Sequence, residues 1–439
     1  MGQATSCAPP SATSMEDAMA DNGTLVNIPL WDGQRYQDDC DVVWDSGIIR
    51  GIRPHADGLS SAGTDTDRTI RADAPGMDGL CVIPGLIDTH LHLWYPTGNR
   101  RIADTSAWPL YTPPEERSLH VLGNALACMR NGVTTMRDMS SHSTEMAVAR
   151  ALDEQVVPGP RLLVNGEVGM SAGHGDLFTP PRARQRNPVA DSPDECRKLV
   201  RSWAREGTTG IKLYLSGGVL SMGDKVGWRN QTIAEIRATI DEAHALGFQV
   251  AAHTHTVEGI QIALDEHVDS IEHATAMTDE QMDAIAERHI PVAPTLLIND
   301  RIAHGDVPVS PEARDKARRI VEHRDDMFRK AADRGVRFVL GTDACSSLVA
   351  YGDQMEEVRD MVRVFGWNAE RALHAATADA ADAMRIGDTI GRLQAGYGAD
   401  LLVMRGRPWE RIEDLRLDNI VAVISRGALV RGTLPRTAV

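Results

Sequence analysis

Hydrophobic and polar positions form two different patterns along the chain. From Thr24, and again from Asp400, short apolar and β-branched runs are separated by polar, turn-forming stretches, which is typical of strands. Between these regions, β-rich runs alternate with segments whose apolar residues recur at helical spacing, as in Ile233 to Leu246. The pattern predicts a central set of βα units flanked by β structure from both chain ends.

The central region contains eight predicted strands, each followed by a segment with helical periodicity. The strands are Cys81 to His92, Val133 to Asp138, Arg161 to Val168, Gly210 to Leu215, Gln249 to His255, Ser270 to His273, Ile290 to Leu297 and Arg337 to Asp343. Eight such units predict an α/β fold, a closed parallel (β/α)8 TIM barrel. An open doubly wound sheet is the alternative, although no glycine-rich dinucleotide motif follows the first strand.

The chain divides into four predicted regions. Residues 1–23 are rich in Ser, Ala, Pro and Asp, lack apolar periodicity and are expected to form a mobile tail. Neither 24–80 nor 391–439 could bury a core alone, so we expect these regions to pair into one small β-sandwich domain. Residues 81–390 form the barrel in this division.

Composition and charge favour a small-molecule partner. The 439 residues are 42% hydrophobic, which suffices for a sizeable core. Lys and Arg total 46 against 62 Asp and Glu, and the resulting net charge of -16 argues against binding nucleic acid or an anionic membrane. No apolar run is long enough to cross a bilayer, and the six cysteines lack CxxC spacing, so we expect a cytoplasmic protein without a disulfide framework.

Chemically versatile side chains lie at the ends of the predicted strands. His90 and His92 are two residues apart, so the period of a strand directs both side chains to the same side. His253, His273 and Asp343 end the fifth, sixth and eighth strands. Imidazole and carboxylate groups suit zinc and related divalent ions, and one rim of a barrel would bring these strand ends together.

Lys212 lies in the middle of the fourth predicted strand, between Ile211 and Leu213. A buried ammonium is costly unless it is paired or chemically changed. One interpretation is a buried ion pair with a carboxylate. The other is a lysine carbamylated by carbon dioxide, which becomes an anionic bridge between two metal ions.

Several motifs together resemble those of the amidohydrolase superfamily. They are VIPGLIDTHLH over residues 82–92, the strand ends above, IGRL over 390–393 and GYGADL over 396–401. Lys212 followed by SGGV at 216–219, together with GHGD at 173–176, is similar to the binuclear, prolidase-like branch, which includes Xaa-Pro dipeptidase-like enzymes. The resemblance extends from about Val26 to Gly432.

The resemblance implies two divalent metal ions, with zinc as the first expectation, and a set of ligands: His90, His92, Lys212, His253, His273 and Asp343. His90, His92 and Asp343 would hold one ion, and His253 and His273 the other, with carboxylated Lys212 as the bridge. A hydroxide between the ions would attack the substrate. Asp343 would act as general base and acid, because an amide nitrogen must be protonated to leave.

The residues expected to contact substrate are His174, Tyr214, His255 and Tyr351. By resemblance, His174 would contact the substrate carbonyl or the oxyanion. Prolidase-like relatives often have Tyr in place of His255 and His-Gly in place of Tyr351-Gly352. These departures leave the metal chemistry intact and put plain Xaa-Pro dipeptide specificity in doubt.

The expected activity is hydrolysis of a C–N bond in an N-acyl amino acid or dipeptide, or in an aryl amide, urea or carbamate xenobiotic. Two alternatives are a mononuclear deaminase or cyclic-amidine hydrolase, and a non-catalytic, dihydropyrimidinase-like oligomeric protein. Family members are often oligomers, so a homo-oligomer is expected. Arg137 and Asp138, at the end of the second strand, are expected to form an ion pair that supports the barrel.

Overall fold

The computed structural model describes residues 22–55, 69–71, 79–97, 108–183 and 186–432. Strands β1 to β15 are Gly23–Trp31, Tyr36–Asp45, Ile48–Pro54, Thr69–Arg71, Leu80–Pro84, Leu86–Leu91, Val133–Ser141, Arg161–Val168, Gly210–Tyr214, Gln249–Thr254, Ser270–His273, Val292–Ala293, Leu401–Arg405, Ile420–Ser425 and Ala428–Arg431. Of the predicted tail over 1–23, residues 1–21 lie outside the described residues, and Gly23 begins β1.

Helices surround the strands of the central region. Helices α1 to α13 are Trp108–Tyr111, Pro114–Arg130, Ser143–Asp153, Pro193–Glu206, Ile233–Ala245, Val257–Asp265, Asp279–Glu287, Leu296–His304, Pro311–Val321, Arg324–Asp333, Gln354–Phe365, Ala369–Ala375 and Ala378–Ala383. Short 3-10 helices are Asp176–Phe178, Ile412–Asp414 and Leu417–Asn419. No helix in the described part of the chain combines the length and apolar character that crossing a membrane requires. Cytoplasmic location stays a prediction.

The barrel consists of β6 to β12, which pair in chain order and in parallel. Residues 337–344 close the ring without forming a regular strand. The amide of Val292 donates to the carbonyl of Arg337 at 2.9 Å on one side, and that of Thr89 donates to the carbonyl of Leu340 at 2.9 Å on the other. The barrel prediction is therefore confirmed, with hydrogen bonds at the position of the eighth predicted strand.

Two predicted strands have different bounds in the structure. The segment Cys81 to His92 is divided at Gly85, where a Cβ would lie 2.2 Å from Thr134 Oγ1. Only Val292–Ala293 is a strand within 290–297, because α8 begins at Leu296. The buried carboxylate of Glu357 accepts the amides at the first two positions of α8 at 2.6 and 2.9 Å, which stabilises the helix start.

The chain ends form one sheet in the order β15-β14-β13-β5-β1-β2-β3, with β4 paired to β1. The two ends meet where β13 pairs with β5, with Val403 opposite Val82. The sheet has its own apolar core, which includes Leu25, Val42 and Leu401. The strands of the two chain ends thus lie in one hydrogen-bonded sheet, whose strand β5 extends to Pro84, and the division of the chain into domains stays a prediction.

Candidate metal centre

The six predicted metal ligands all line one cavity of about 350 Å³ at the carboxyl ends of the barrel strands: His90, His92, Lys212, His253, His273 and Asp343. Each comes from the end of a strand or from the segment that closes the barrel. The parallel barrel therefore brings together side chains that are far apart in sequence, as active sites on this fold require.

His92 and Asp343 face each other through two atoms, Nε2 and Oδ1, that both accept hydrogen bonds. Nδ1 of His92 donates to the carbonyl of Met139 at 2.8 Å, so the neutral ring turns the lone pair of Nε2 towards Asp343 Oδ1 at 3.1 Å. Such a contact needs a proton or a cation between the atoms. Burial opposes charging of the ring, yet the hydrogen bond and charge of Asp343 raise the pKa of His92. The same geometry suits a shared metal ion.

His90 has one satisfied and one orphaned ring nitrogen. Its Nδ1 lies 2.7 Å from Glu272 Oε2, and its buried Nε2, 3.8 Å from Asp343 Oδ1, has no hydrogen-bond partner among the described residues. An orphaned buried nitrogen costs about 1–3 kcal/mol. Metal-bound histidines commonly donate their other nitrogen to a carboxylate, so this arrangement fits a metal ligand.

Glu272 is held as a carboxylate by its neighbours. Burial alone would raise its pKa, but the charge and hydrogen bond of His90 and the charge of Arg137 lower it to about 2. Arg137 lies 3.2 Å from Glu272, and Ser270 Oγ donates to the same carboxylate at 2.7 Å. The predicted ion pair of Arg137 with Asp138 is wrong, because Asp138 accepts from the amide of Leu93 at 2.6 Å instead.

A second cluster consists of His253, His255 and His273, with one ring nitrogen from each within 4.8 Å of the others. Nε2 of His253 donates to the carbonyl of Gly217 at 3.3 Å, which leaves its Nδ1 as an acceptor. Nδ1 of His255 and of His273 contacts a threonine hydroxyl at 2.9 and 2.8 Å, respectively. Each ring is thus oriented through one nitrogen, and the other remains for a ligand.

Lys212 is only 1% exposed, and no hydrogen bond or ion pair to a described residue satisfies its ammonium. Its Nζ lies 5.8 Å from the centre of the Tyr214 ring. Burial is the main cause that lowers its pKa to about 8. The lysine–carboxylate pair that the sequence allowed does not form among the described residues, and only the more distant charges of Glu272, Asp343 and Glu167 oppose the cost of burying this group.

The backbone is strained where the ligands leave their strands. His273 and Asp343 have φ values of 69° and 56°, in the left-handed region that side chains other than glycine rarely adopt. Thr295, which contacts His273, has a φ of 47°. Each such conformation costs on the order of 1–3 kcal/mol and is typical of functional sites.

Ser221, Asp224 and Lys316 determine the tautomer of His174. Ser221 Oγ lies 2.7 Å from Asp224 Oδ2 and 2.8 Å from His174 Nδ1. Burial would raise the pKa of Asp224, but hydrogen bonds from Lys316, at 2.7 Å, and from Ser221 lower it. An ionised Asp224 can only accept, so Ser221 gives its one hydroxyl hydrogen to Asp224 and accepts from His174 Nδ1. Neutral His174 therefore offers Nε2 to the cavity as an acceptor.

His174 is also fixed by packing. Its ring stacks on that of His253 at 4.5 Å, and a Cβ on Gly218 would lie 2.0 Å from its Cε1. Burial lowers the pKa of His174 to about 4, although the charge of Asp224 opposes this shift. Any side chain at position 218 would displace the ring.

Of the other predicted substrate residues, two line the cavity and one, Tyr351, lies outside its described lining. His255 and Tyr214 line the cavity, and the Tyr214 hydroxyl contacts Ser140 Oγ at 2.6 Å. Tyr351 is not among the described residues that line the cavity, because its hydroxyl donates to the carbonyl of His92 at 2.6 Å. The prediction of Tyr351 as a substrate contact is therefore not supported by its position.

Sequence reasoning missed the residues that orient the ligands and His174. Glu272 was visible only as an acidic residue in a short buried strand, and its contact to His90 spans 182 positions in the chain. Ser221 and Asp224 lie between β9 and α5, where no periodic pattern indicated a role. Both sets of residues were missed because their contacts join segments that are distant in the sequence.

Comparison with known proteins places the chain in a family. A model described as "Amidohydrolase family" matches residues 81–430. Ochratoxinase of Aspergillus niger is 27% identical over 368 residues, which cover 79% of this chain and 74% of ochratoxinase.

Solved structures agree with this placement. A Xaa-Pro dipeptidase with methionine bound in its active site has a TM-score of 0.82 and 29% identity, covering 94% of this chain and 100% of that chain. A prolidase complexed with N-methylphosphonate-L-proline has a TM-score of 0.81 and 26% identity over 94% of this chain and 100% of that chain. The predicted enzyme class is thus confirmed: the chain belongs to the amidohydrolase family, and it is a hydrolase that acts on carbon–nitrogen bonds.

Proposed function

We propose that this protein is a binuclear metal-dependent amidohydrolase that cleaves the amide bond of an N-acyl amino acid or dipeptide. Aryl amides, ureas and carbamates are the neighbouring substrate classes. The observation that carries the proposal is the buried Lys212, which lies amid the imidazoles of the cavity without a hydrogen bond or ion pair to a described residue. Carboxylation would turn this costly ammonium into an anion that two cations compensate.

The donor set fits two divalent ions. His90, His92 and Asp343 would hold one, and His253 and His273 the other, with Lys212 joining them once it is carboxylated. The orphaned Nε2 of His90 supports this assignment. When bound, the ions would lower the pKa of a water and polarise the substrate carbonyl. Zinc remains the expected metal, because imidazole and carboxylate ligands suit it.

Asp343 would move the proton during the reaction. Although burial disfavours its charge, hydrogen bonding to His92 and the nearby positive charges lower the pKa of Asp343, so it begins as a carboxylate. It can accept the proton that the attacking water loses and deliver it to the departing nitrogen. This delivery is essential because an amide anion is a very poor leaving group.

His174 contacts the substrate through Nε2. In the neutral ring that atom accepts a hydrogen bond, and donation to an oxyanion requires the imidazolium form. The carboxylate of Asp224, 4.0 Å from His174 Nδ1, would stabilise the added charge through Ser221. This path opposes the effect of burial, which lowers the pKa of His174 to about 4 and keeps the resting ring neutral.

Two relatives support an amino acid as one product. One is a Xaa-Pro dipeptidase whose structure holds methionine in the active site, and another is a prolidase complexed with a proline derivative. The difference at His255 argues for a substrate other than a plain Xaa-Pro dipeptide.

The test is a screen of metal-loaded protein against N-acyl amino acids, dipeptides, anilides, phenylureas and carbamates, scored by release of free amine. We expect amine from at least one N-acyl amino acid or dipeptide. Release of amine only from the other classes would contradict the substrate proposed, and release from none would contradict the activity. A homo-oligomer and a small-molecule partner stay predictions.

A further inference from the structure

The cavity carries a cation that the metal centre does not use. Arg117, near the start of α2, lines the cavity, and its buried Nε has no hydrogen-bond partner. No carboxylate of a described residue lies within ion-pair distance of this guanidinium. Arg186, which also lines the cavity, differs because it pairs with Asp176.

Two glutamates that line the same cavity, Glu145 and Glu167, have other partners. Glu145 accepts from the amide of His142 at 2.8 Å, and Glu167 Oε2 lies 3.4 Å from His142 Nε2. Burial, together with the charge of Arg117, lowers the pKa of His142 to about 4. Neither glutamate lies within ion-pair distance of the Arg117 guanidinium, so this group remains available to a ligand in the cavity.

Apolar side chains line the rest of the cavity that contains Arg117. Trp94, which stacks on Tyr95 at 4.0 Å, and Phe178, Leu220 and Ile298 line the cavity. The cavity thus combines the candidate metal centre, apolar walls and a guanidinium that has no carboxylate partner among the described residues. A guanidinium presents paired N–H donors that match the two oxygens of a carboxylate.

We propose that Arg117 binds the free carboxylate of the substrate. The substrate class is then an acyl amino acid or dipeptide with an unblocked carboxylate and a large apolar side chain. This inference rests on the proposed function, whose first substrate class already carries a carboxylate, and it adds the residue that binds this group and a large apolar side chain on the substrate. Arg117 is a specificity residue here, since it contacts substrate away from the scissile bond.

The experiment compares N-acetyl-L-phenylalanine with its methyl ester, which has the same amide bond and no negative charge. Metal-loaded wild type, Arg117→Gln and Arg117→Lys are assayed by amine release. Leu119→Gln is the matched control, because Leu119 lies on the same helix and is 69% exposed. The wild type and the control should prefer the acid by about 100-fold in kcat/KM, the scale of a lost buried charge pair.

Arg117→Gln should lose this preference mainly through KM, with turnover of the ester within about threefold of wild type, and Arg117→Lys should retain part of it. Equal loss for acid and ester, or no preference in the wild type, would overturn the inference. If the wild type cleaves neither compound, the proposed function fails for this class, and titration calorimetry with N-acetyl-L-phenylalanine then decides the role of Arg117. Tighter binding to wild type than to Arg117→Gln supports the carboxylate site, whereas equal or undetectable binding overturns it.

Discussion

The buried carboxylate of Glu272 links the stability of the barrel to the metal centre, and Glu272→Gln should weaken both. Glu272 contacts His90 and is the charged partner of the buried Arg137. The amide of Gln retains the shape but not the charge. The variant leaves Arg137 buried without a counter-charge and His90 without its strongest acceptor.

The magnitude follows from the pKa of Glu272, which falls from 4.5 to about 2 in the folded protein. At 1.36 kcal/mol per pKa unit, the carboxylate contributes about 3 kcal/mol to folding. The folded-state pKa is the lower one, so the contribution is complete above about pH 4.5 and is lost as the pH falls towards about 2. Removal of one partner of a buried pair typically costs about 3–5 kcal/mol, which agrees.

The assay compares midpoints of urea unfolding for metal-free proteins at pH 7, so that bound metal does not add stability. Metal affinity is measured separately by competition with a coloured chelator and should fall about 10–100-fold. Glu410→Gln is the control, because its ion pair with Arg407 is about half exposed and should contribute much less. Adding Arg137→Met to Glu272→Gln should recover part of the stability. A Glu272→Gln variant as stable as wild type, with unchanged metal affinity, would refute the reasoning.

Three further substitutions test the cavity. Asp224→Asn should lower kcat by roughly tenfold or more with unchanged metal content, because the imidazolium of His174 loses its counter-charge; an unchanged kcat contradicts this role. His255→Asn should raise KM and keep the metal, and loss of an ion would instead make His255 a ligand. Gly218→Ala should reduce kcat by displacing His174 while the near-ultraviolet circular dichroism stays native, and full activity would show that the ring does not need this space.

The positions of the candidate ligands followed from simple rules for strand ends, whereas their role as ligands came from the family resemblance and stays a prediction. The two-residue spacing of His90 and His92 and the recurring βα units sufficed to place the histidines and Asp343 at one rim. All six predicted ligands line the cavity in the structure. The local periodicity of the sequence was sufficient to predict the positions of these residues.

The remaining features depend on contacts that local patterns do not contain. Glu357 caps a helix some 60 positions earlier in the chain and turns the predicted strand at Leu296 into helix. Tyr351 was expected at the substrate, but its hydroxyl bonds to a carbonyl 259 positions away. Gly85 divides a continuous apolar run because Thr134 leaves no space for a side chain. In each case the tertiary partner decides the outcome.

The most direct test of the binuclear centre is elemental analysis of purified protein loaded with zinc in bicarbonate buffer. Wild type should contain two ions per chain, and Lys212→Ala should lose at least one of them together with turnover. Lys212→Ala with a small carboxylic acid added should regain metal in part. One ion in the wild type, or two in Lys212→Ala, would contradict the account.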